Sequence, residues 1–368
     1  MRAVICLLAA ALAASAQDST AEELFRTAVQ AQQRGDFPEA VRDYRRLLGM
    51  RPDLVDARAN LAAALVHLNR FDEAITEYHA ALKADPKNSA ILLNLALAYY
   101  KKGDYRSTSS ELSALHAAQP SDTRVAILLA DCYSKLGEDP RAVTTLMPLH
   151  QAHPDDLDLN FVLGSALTRT GKMIEGAALL EQAGRQGNSA DAYLLAGSAL
   201  LKASEKTRAL EDLREAAQLN AALPGLLTQL GIAEEGNGDN GRAEKDLRKA
   251  LEANPQDFEA AVHLGGILYA RRDLDQARTF IQRALELQPT STFAIYEMAL
   301  LKSARGEIEA AVAELEKVVK ADPEWLEAHV KLAALYYKLG RPADGWRERQ
   351  IVDRLTSERT GPHTTPQQ

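Results

Sequence analysis

A chain of 368 residues with 46% apolar composition can bury a large hydrophobic core and has no compositional reason to be disordered. A net charge of −8, with 26% charged residues and both signs mixed along the chain, excludes the net basic face a nucleic-acid binder needs. Aromatic residues make up only 5% while Ala and Leu dominate, so helix is favoured over strand.

In chain order, the first sixteen residues stand apart. Arg2 gives a positive start, Ala3 to Ala14 form an unbroken apolar run, and Ala14-Ser15-Ala16 supplies the small residues a signal peptidase accepts. The run is shorter than the roughly 20 residues a membrane span requires. Residues 1–16 are therefore expected to be an export signal, or an anchor if left uncleaved, with 17–20 as a linker. The expected location is the periplasm or cell envelope, with secretion as a further outcome. Cys6 has almost no apolar segment before it and does not suit lipid attachment. Cys132 lies beside Ala130 and Tyr133 on a helix face predicted to be buried, where it reads as a small core hydrophobe.

A fixed spacing governs the rest. Pro52, Pro86, Pro120 and Pro154 are each 34 residues apart. Asn188 and Ala222 hold the next two marks, and Pro255, Pro289 and Pro323 resume after one interval shortened to 33. Such a period means one supersecondary unit stacked many times. In 224–257, Leu227, Leu230 and Gly231 share a helical face, Gly236 to Asn240 form a turn, and Ala243, Leu247 and Ala250 line a second helix closed by Pro255. Helix, turn, helix and proline stop make an αα-hairpin. Residues 258–291 repeat it with Leu264, Gly265, Leu268, Ala277, Ile281, Ala284 and Pro289. Residues 55–88 do so with Leu61, Ala62, Leu65, Ala74, Tyr78, Ala81 and Pro86.

This pattern resembles the tetratricopeptide repeat, whose signature places small residues at the eighth, twentieth and twenty-seventh positions and proline at the thirty-second. The resemblance covers about residues 21–340 and implies an all-α, right-handed α-solenoid of about ten antiparallel helix pairs. The units are 21–54, 55–88, 89–122, 123–156, 157–189, 190–223, 224–257, 258–291, 292–325 and 326–358. Ser19 or Thr20 with Glu22 or Glu23 is expected to form a capping box at the start. A polar last helix from about Ala343 to Leu355, bearing Arg347, Glu348, Arg349 and Asp353, is expected to cap the end. After Ser357 the chain lacks apolar residues, and 359–368 are expected to be disordered.

Three consecutive units depart from the pattern. Thr108 replaces a small packing residue in 89–122, Pro148 falls within the second helix of 123–156 and is expected to kink it, and Gly176, Gly184 and Gly187 weaken the second helix of 157–189. A softer joint between stiffer arms, 21–122 and 190–358, is the expectation.

Motifs for chemistry are weak. Gly164 to Met173 resembles a phosphate loop only faintly: six residues separate the glycines where four are needed, and Gly171 is the turn between paired helices. His150 and His153 have no third metal ligand nearby and suit a helix end. Glu234-Glu235 reads as a solvated helix end. No cofactor or metal is expected, and no enzyme activity.

In arrays of this family the first helix of each pair lines a concave groove, and positions two, five, nine, twelve and thirteen face it. The resemblance thus implies a peptide-binding groove with a basic row of Lys101, Lys135, Arg169 and Lys202. Its apolar and aromatic groups are Phe25, Leu93, Leu97, Tyr100, Phe161, Tyr269, Phe293, Tyr296 and Tyr337. That mixture suits an extended peptide with acidic and apolar side chains. The chaperone-binding subtype, which clamps a terminal carboxylate with Asn at position nine, is set aside because Val29, Ala63 and Leu97 stand there. The expected function is a non-catalytic protein-interaction scaffold. The alternatives are a self-associating spacer and a glycan-handling protein using groove aromatics.

Overall fold

The computed structural model describes residues 20–360, which are helices and short connections with no strand among them. The expected export signal, Ser19 of the capping box, and residues 361–368 lie outside the described residues. Two units part between Gly187 and Asn188. The first pairs α1 (20–33) with α2 (Phe37–Met50), α3 (Val55–His67) with α4 (Phe71–Ala84), and α5 (Ser89–Lys102) with α6 (Tyr105–Ala118). It ends with α7 (Thr123–Lys135) against α8 (Asp139–Ala152) and α9 (Leu157–Arg169) against α10 (Met173–Gly187).

The second unit pairs α11 (Ala190–Lys202) with α12 (Lys206–Leu219), α13 (Leu226–Gly236) with α14 (Asn240–Ala253), and α15 (Phe258–Ala270) with α16 (Leu274–Leu287). Then come α17 (Thr292–Ala304) with α18 (Ile308–Ala321) and α19 (Leu326–Lys338) with α20 (Pro342–Thr360). Each unit is a stack of five antiparallel helix pairs, as the 34-residue period requires.

Local chemistry explains the phase. The periodic proline lies two residues before an Asn, Asp or Ser whose side chain caps the next helix. Asn88 accepts from the Ile91 N–H, Asp122 from Val125, Asp156 from Leu159, Asp257 from Ala260 and Ser291 from Ala294. Proline cannot extend the outgoing helix, and the polar residue starts the incoming one. A second 34-residue ruler runs through the hairpin turns, where one residue is left-handed. Glycine holds it at seven of these turns, with φ between 70° and 88°. Asn69, Ser204 and Arg272 adopt it with side chains, at φ 57°, 64° and 65°.

The small residues at the crossings are wholly buried: Ala62, Ala74, Ala96, Ala130, Ala142, Ala243, Ala277 and Ala311. Around them Tyr44, Tyr78, Leu65, Leu95, Leu129 and Leu163 fill the interior, with the Tyr44 hydroxyl donating to Gln32 Oε1 at 3.0 Å. Cys132 is fully buried, and burial pushes its thiol up to about 12. It is a core group and not a nucleophile.

The irregular units hold specific solutions. Thr108 is buried and its hydroxyl donates to the Asp104 carbonyl of its own helix at 2.8 Å, so the extra polar atom is satisfied. Helix α8 runs on through Pro148 to Ala152. Helix α10 forms a full 15 residues despite its three glycines. An added Cβ on Gly176 would stand 2.6 Å from the Gly164 carbonyl oxygen, and one on Gly164 would stand 2.8 Å from the Gly176 oxygen. Gly176 is therefore where two backbones meet, and its role is close packing. The last helix also exceeds expectation: α20 continues to Thr360, with Arg354 pairing Glu358 on its final turns. Glu358 belongs to this helix and not to a tail.

Neighbouring first helices touch directly: α3 meets α5 and α7 meets α9 in the first unit, and α11, α13, α15 and α17 meet in series in the second. No consecutive pair of second helices among the described residues approaches as closely. Helices that crowd on one side and spread on the other curve each stack, with the first helices lining the inside.

Candidate functional site

The inner face of each stack is the candidate site, and the sequence-derived residues fall on it unequally. In the first unit Leu93 and Leu97 are half-buried. Phe25 is half-buried too, with its ring edge-on to Tyr44 at 6.2 Å, and lines a cleft with Glu22, Arg51, Asp53 and Leu54. Phe161 is also half-buried. The Tyr100 hydroxyl donates to Asp131 Oδ2 at 2.7 Å, tying α5 to α7. That hydrogen bond and burial, burial more strongly, hold its pKa well above the ordinary phenol value. Lys135 lies 5.9 Å and 5.6 Å from the Tyr100 and Tyr105 ring centres and pairs with Asp131 at 3.4 Å.

Arg169 does not present a free charge to the groove. Its guanidinium reaches back to Asp139 of the preceding repeat at 2.7 Å and donates to Ser134 Oγ at 2.8 Å. The same 30-residue reach ties Lys102 to Asp72 and Arg305 to Asp275. Basic residues at the end of a first helix thus serve as inter-repeat ties, each worth little at a solvated surface. Lys101 in the first unit and Lys202 in the second are exposed. Neither makes an ion pair among the described residues.

In the second unit Tyr269 and Phe293 are half-buried on the inner face. Tyr296 is buried to 9% exposure and stacks on Trp325 at 4.8 Å. Burial pushes its hydroxyl up to about 12. It is part of the interior, which removes it from the surface aromatics able to stack on a sugar. Tyr337 is 47% exposed, with its ring against Gly345 of α20.

Three residues outside the expected set share this face. His263 Nδ1 and Glu235 Oε2 lie 2.6 Å apart, the His263 ring tilts against Phe293 at 5.4 Å, and Glu297 stands on α17 facing Gly266. Leu201, Lys206, Ile232, Glu235, His263 and Phe293 line a cleft of about 410 Å³ here. Burial, and then the nearby Glu235 charge, push the Glu297 carboxyl up to about 7, opposed by His263. Glu297 and His263 both occupy position six of their units, outside the positions the resemblance marks. No group of three or more His, Cys, Asp or Glu among the described residues is placed to hold a metal ion.

The expectation that Glu234-Glu235 is a solvated helix end is corrected. Glu234 is only 4% exposed, its Oε2 has no hydrogen-bond partner among the described residues, and burial raises its pKa. The helical face turns this carboxyl toward α14, where Asp246 and Asp239 raise it further. Among the described residues, no helix is long and apolar enough to cross a membrane.

Comparison with known proteins agrees with this geometry. The tetratricopeptide repeat family model matches residues 25–89, 228–292 and 296–345, and a second model of the same description matches 70–126. No curated protein sequence matches. Among solved structures, the chain is similar to the APC/C hetero-tetramer Cut9–Hcn1, with 13% identity and a TM-score of 0.55 over 91% of this chain and 87% of that one. It is also similar to a tetratricopeptide repeat protein from Parabacteroides merdae, with 14% identity and a TM-score of 0.52 over 67% of this chain and 98% of that one.

Proposed function

Because the chain belongs to the tetratricopeptide repeat family, we propose that it is a non-catalytic scaffold, located in the periplasm or cell envelope, that holds a polypeptide partner against the inner faces of its helix stacks. One observation supports this most: the inner face keeps half-buried apolar and aromatic groups, Leu93, Leu97, Phe161, Tyr269 and Phe293, that the neighbouring helices do not fully cover. Alternating pockets beside exposed Lys101 and Lys202 suit an extended chain with acidic and apolar side chains.

A photo-crosslinking residue placed at Leu97 or Tyr269 is expected to give covalent polypeptide adducts in cells, whereas Ser110 or Glu286, exposed on second helices, is expected to give none. Adducts of equal yield from both faces, or none from the inner face, overturn the reading. Reversal of Lys101, Lys135 and Lys202 to Glu is expected to weaken the crosslinked partner's affinity about tenfold. Unchanged affinity overturns its acidic character. Location is tested by Leu7→Arg with Leu8→Arg, which is expected to retain the protein in the cytosol; unaltered fractionation counts against export.

Self-association is the second reading. It is favoured by Val330, Tyr337 and Trp346 on the last helix pair, at 44%, 47% and 57% exposure. Light scattering that shows a concentration-dependent mass, abolished by Trp346→Ala, supports it, and a constant monomer mass removes it.

A further inference from the structure

We propose that the inner face of the second unit seats a basic side chain, lysine or arginine, of the bound polypeptide between Glu235 of α13 and Glu297 of α17, with the Phe293 ring as its apolar wall. This rests on the reading that the inner face holds a polypeptide, and it adds a chemistry opposite to the basic row of the first unit.

The chemistry of the cleft selects its occupant. Glu235 has His263 as its partner at 2.6 Å, and a neutral imidazole there leaves the carboxylate charge unneutralised. Glu297 makes no hydrogen bond or ion pair among the described residues, although it is half-buried on a face crowded by α15. Two carboxylates that each feel the other, in a recess partly closed to water, lack a counter-cation. An acidic side chain entering here meets repulsion, and an aliphatic one leaves both carboxylates unpaired. A guanidinium or ammonium relieves both at once.

The walls fit the same guest. Lys206 lays its methylene stem against Gly236, and neither its position nor its charge enters the balance at Glu297. Leu201 and Ile232 supply apolar surface for the stem of an incoming Lys or Arg, while the Phe293 face suits its charged head. Gly266 has no Cβ opposite Glu297, where one would stand 3.5 Å from the carboxylate oxygen, so the approach stays open. The recess of about 410 Å³ is large enough for a single long side chain.

The test is a selection of displayed random ten-residue peptides on the full chain and on its E235Q/E297Q form. The expected result is enrichment of peptides carrying Lys or Arg flanked by apolar residues, with recovery falling about tenfold on the double variant. Glu235→Lys is expected to turn the preference toward acidic peptides, which guards against simple misfolding as the cause of a loss. Both variants are checked by circular dichroism. Peptides enriched without a basic residue, or recovered equally on the double variant, overturn this inference while the scaffold reading stands. Failure of any peptide to enrich overturns both.

Discussion

In the first unit the α9–α10 crossing sets Gly164 against Gly176, so that carbonyl oxygens stand where a methyl group would be. In the second, the α15–α16 crossing sets Gly265 against the Ile281 side chain, where an added Cβ would stand 2.5 Å from Ile281 Cγ1. Both glycines occupy position eight of their repeats. The difference teaches that one small-residue rule is met in two ways: by removing side chains from both helices so that backbones touch, or by letting one branched side chain fill the space its partner leaves. A side chain can rotate away from an intruder, but a backbone carbonyl in a helix cannot.

The largest effect is expected from Ala277→Trp in the second unit, where a fully buried small residue leaves no room for an indole. A loss of about 3 kcal/mol or more in urea unfolding is expected. A melt that matches the parent breaks the packing register.

Gly176→Ala sharpens the contrast, with an expected cost of about 2–3 kcal/mol from one methyl group against an immobile carbonyl. Gly265→Ala is expected to cost less, because Ile281 moves aside and alanine gains helix propensity. Equal costs would dissolve the distinction. Amide exchange in the parent tests the neighbouring proposal of a softer joint: faster exchange across 104–190 is expected, and uniform protection overturns it.

A third effect depends on pH. Glu297 titrates at about 7 in the folded chain because burial and Glu235 disfavour its charge, with His263 on α15 opposing them. Its folded pKa is raised above the unfolded value, so its contribution is fully present below about pH 4.5 and is lost as pH rises through about 7. Partial exposure reduces the loss to the order of 1–2 kcal/mol. Glu297→Gln is expected to flatten the urea midpoint between those pH values, and an unchanged slope rules out this group as its source. No comparable carboxylate lies among the groove residues of the first unit.

The smallest effect is expected at a turn. Arg272 is exposed and holds the left-handed conformation at φ 65°, where the corresponding turns carry glycine. Arg272→Gly is expected to stabilise by about 0.5–1 kcal/mol, the relief of strain exceeding the added flexibility of the unfolded chain. A lower melting temperature would show that Arg272 makes interactions worth more than its strain.

Much of this molecule was readable before any coordinates. The spacing of Pro52, Pro86, Pro120 and Pro154 located the helix pairs, because a proline stop and a polar cap act within a few residues of themselves. The burial of Cys132 and the turn at Gly171 followed from the same local logic. The exposure of Glu234 did not, because two adjacent carboxylates beside a turn look solvated until α14 is packed over one of them. Nor did a set of ties at position four. Arg58, Asn160 and His329 each reach the carbonyl of the proline six residues back, through three unlike side chains that no sequence pattern unites.

The amino-acid sequence by itself determined the repeat, its period, the small residues at each crossing and the all-helical stack. Each of these depends on interactions along one helix or between two consecutive ones. Only the tertiary structure decided which inner-face groups are spent and which remain: Arg169 turned back to Asp139, Tyr296 closed against Trp325, and Glu235, His263 and Glu297 gathered from three repeats. Residues some thirty positions apart meet only when the stack forms, and the charges and aromatic faces left over there are set by packing across repeats.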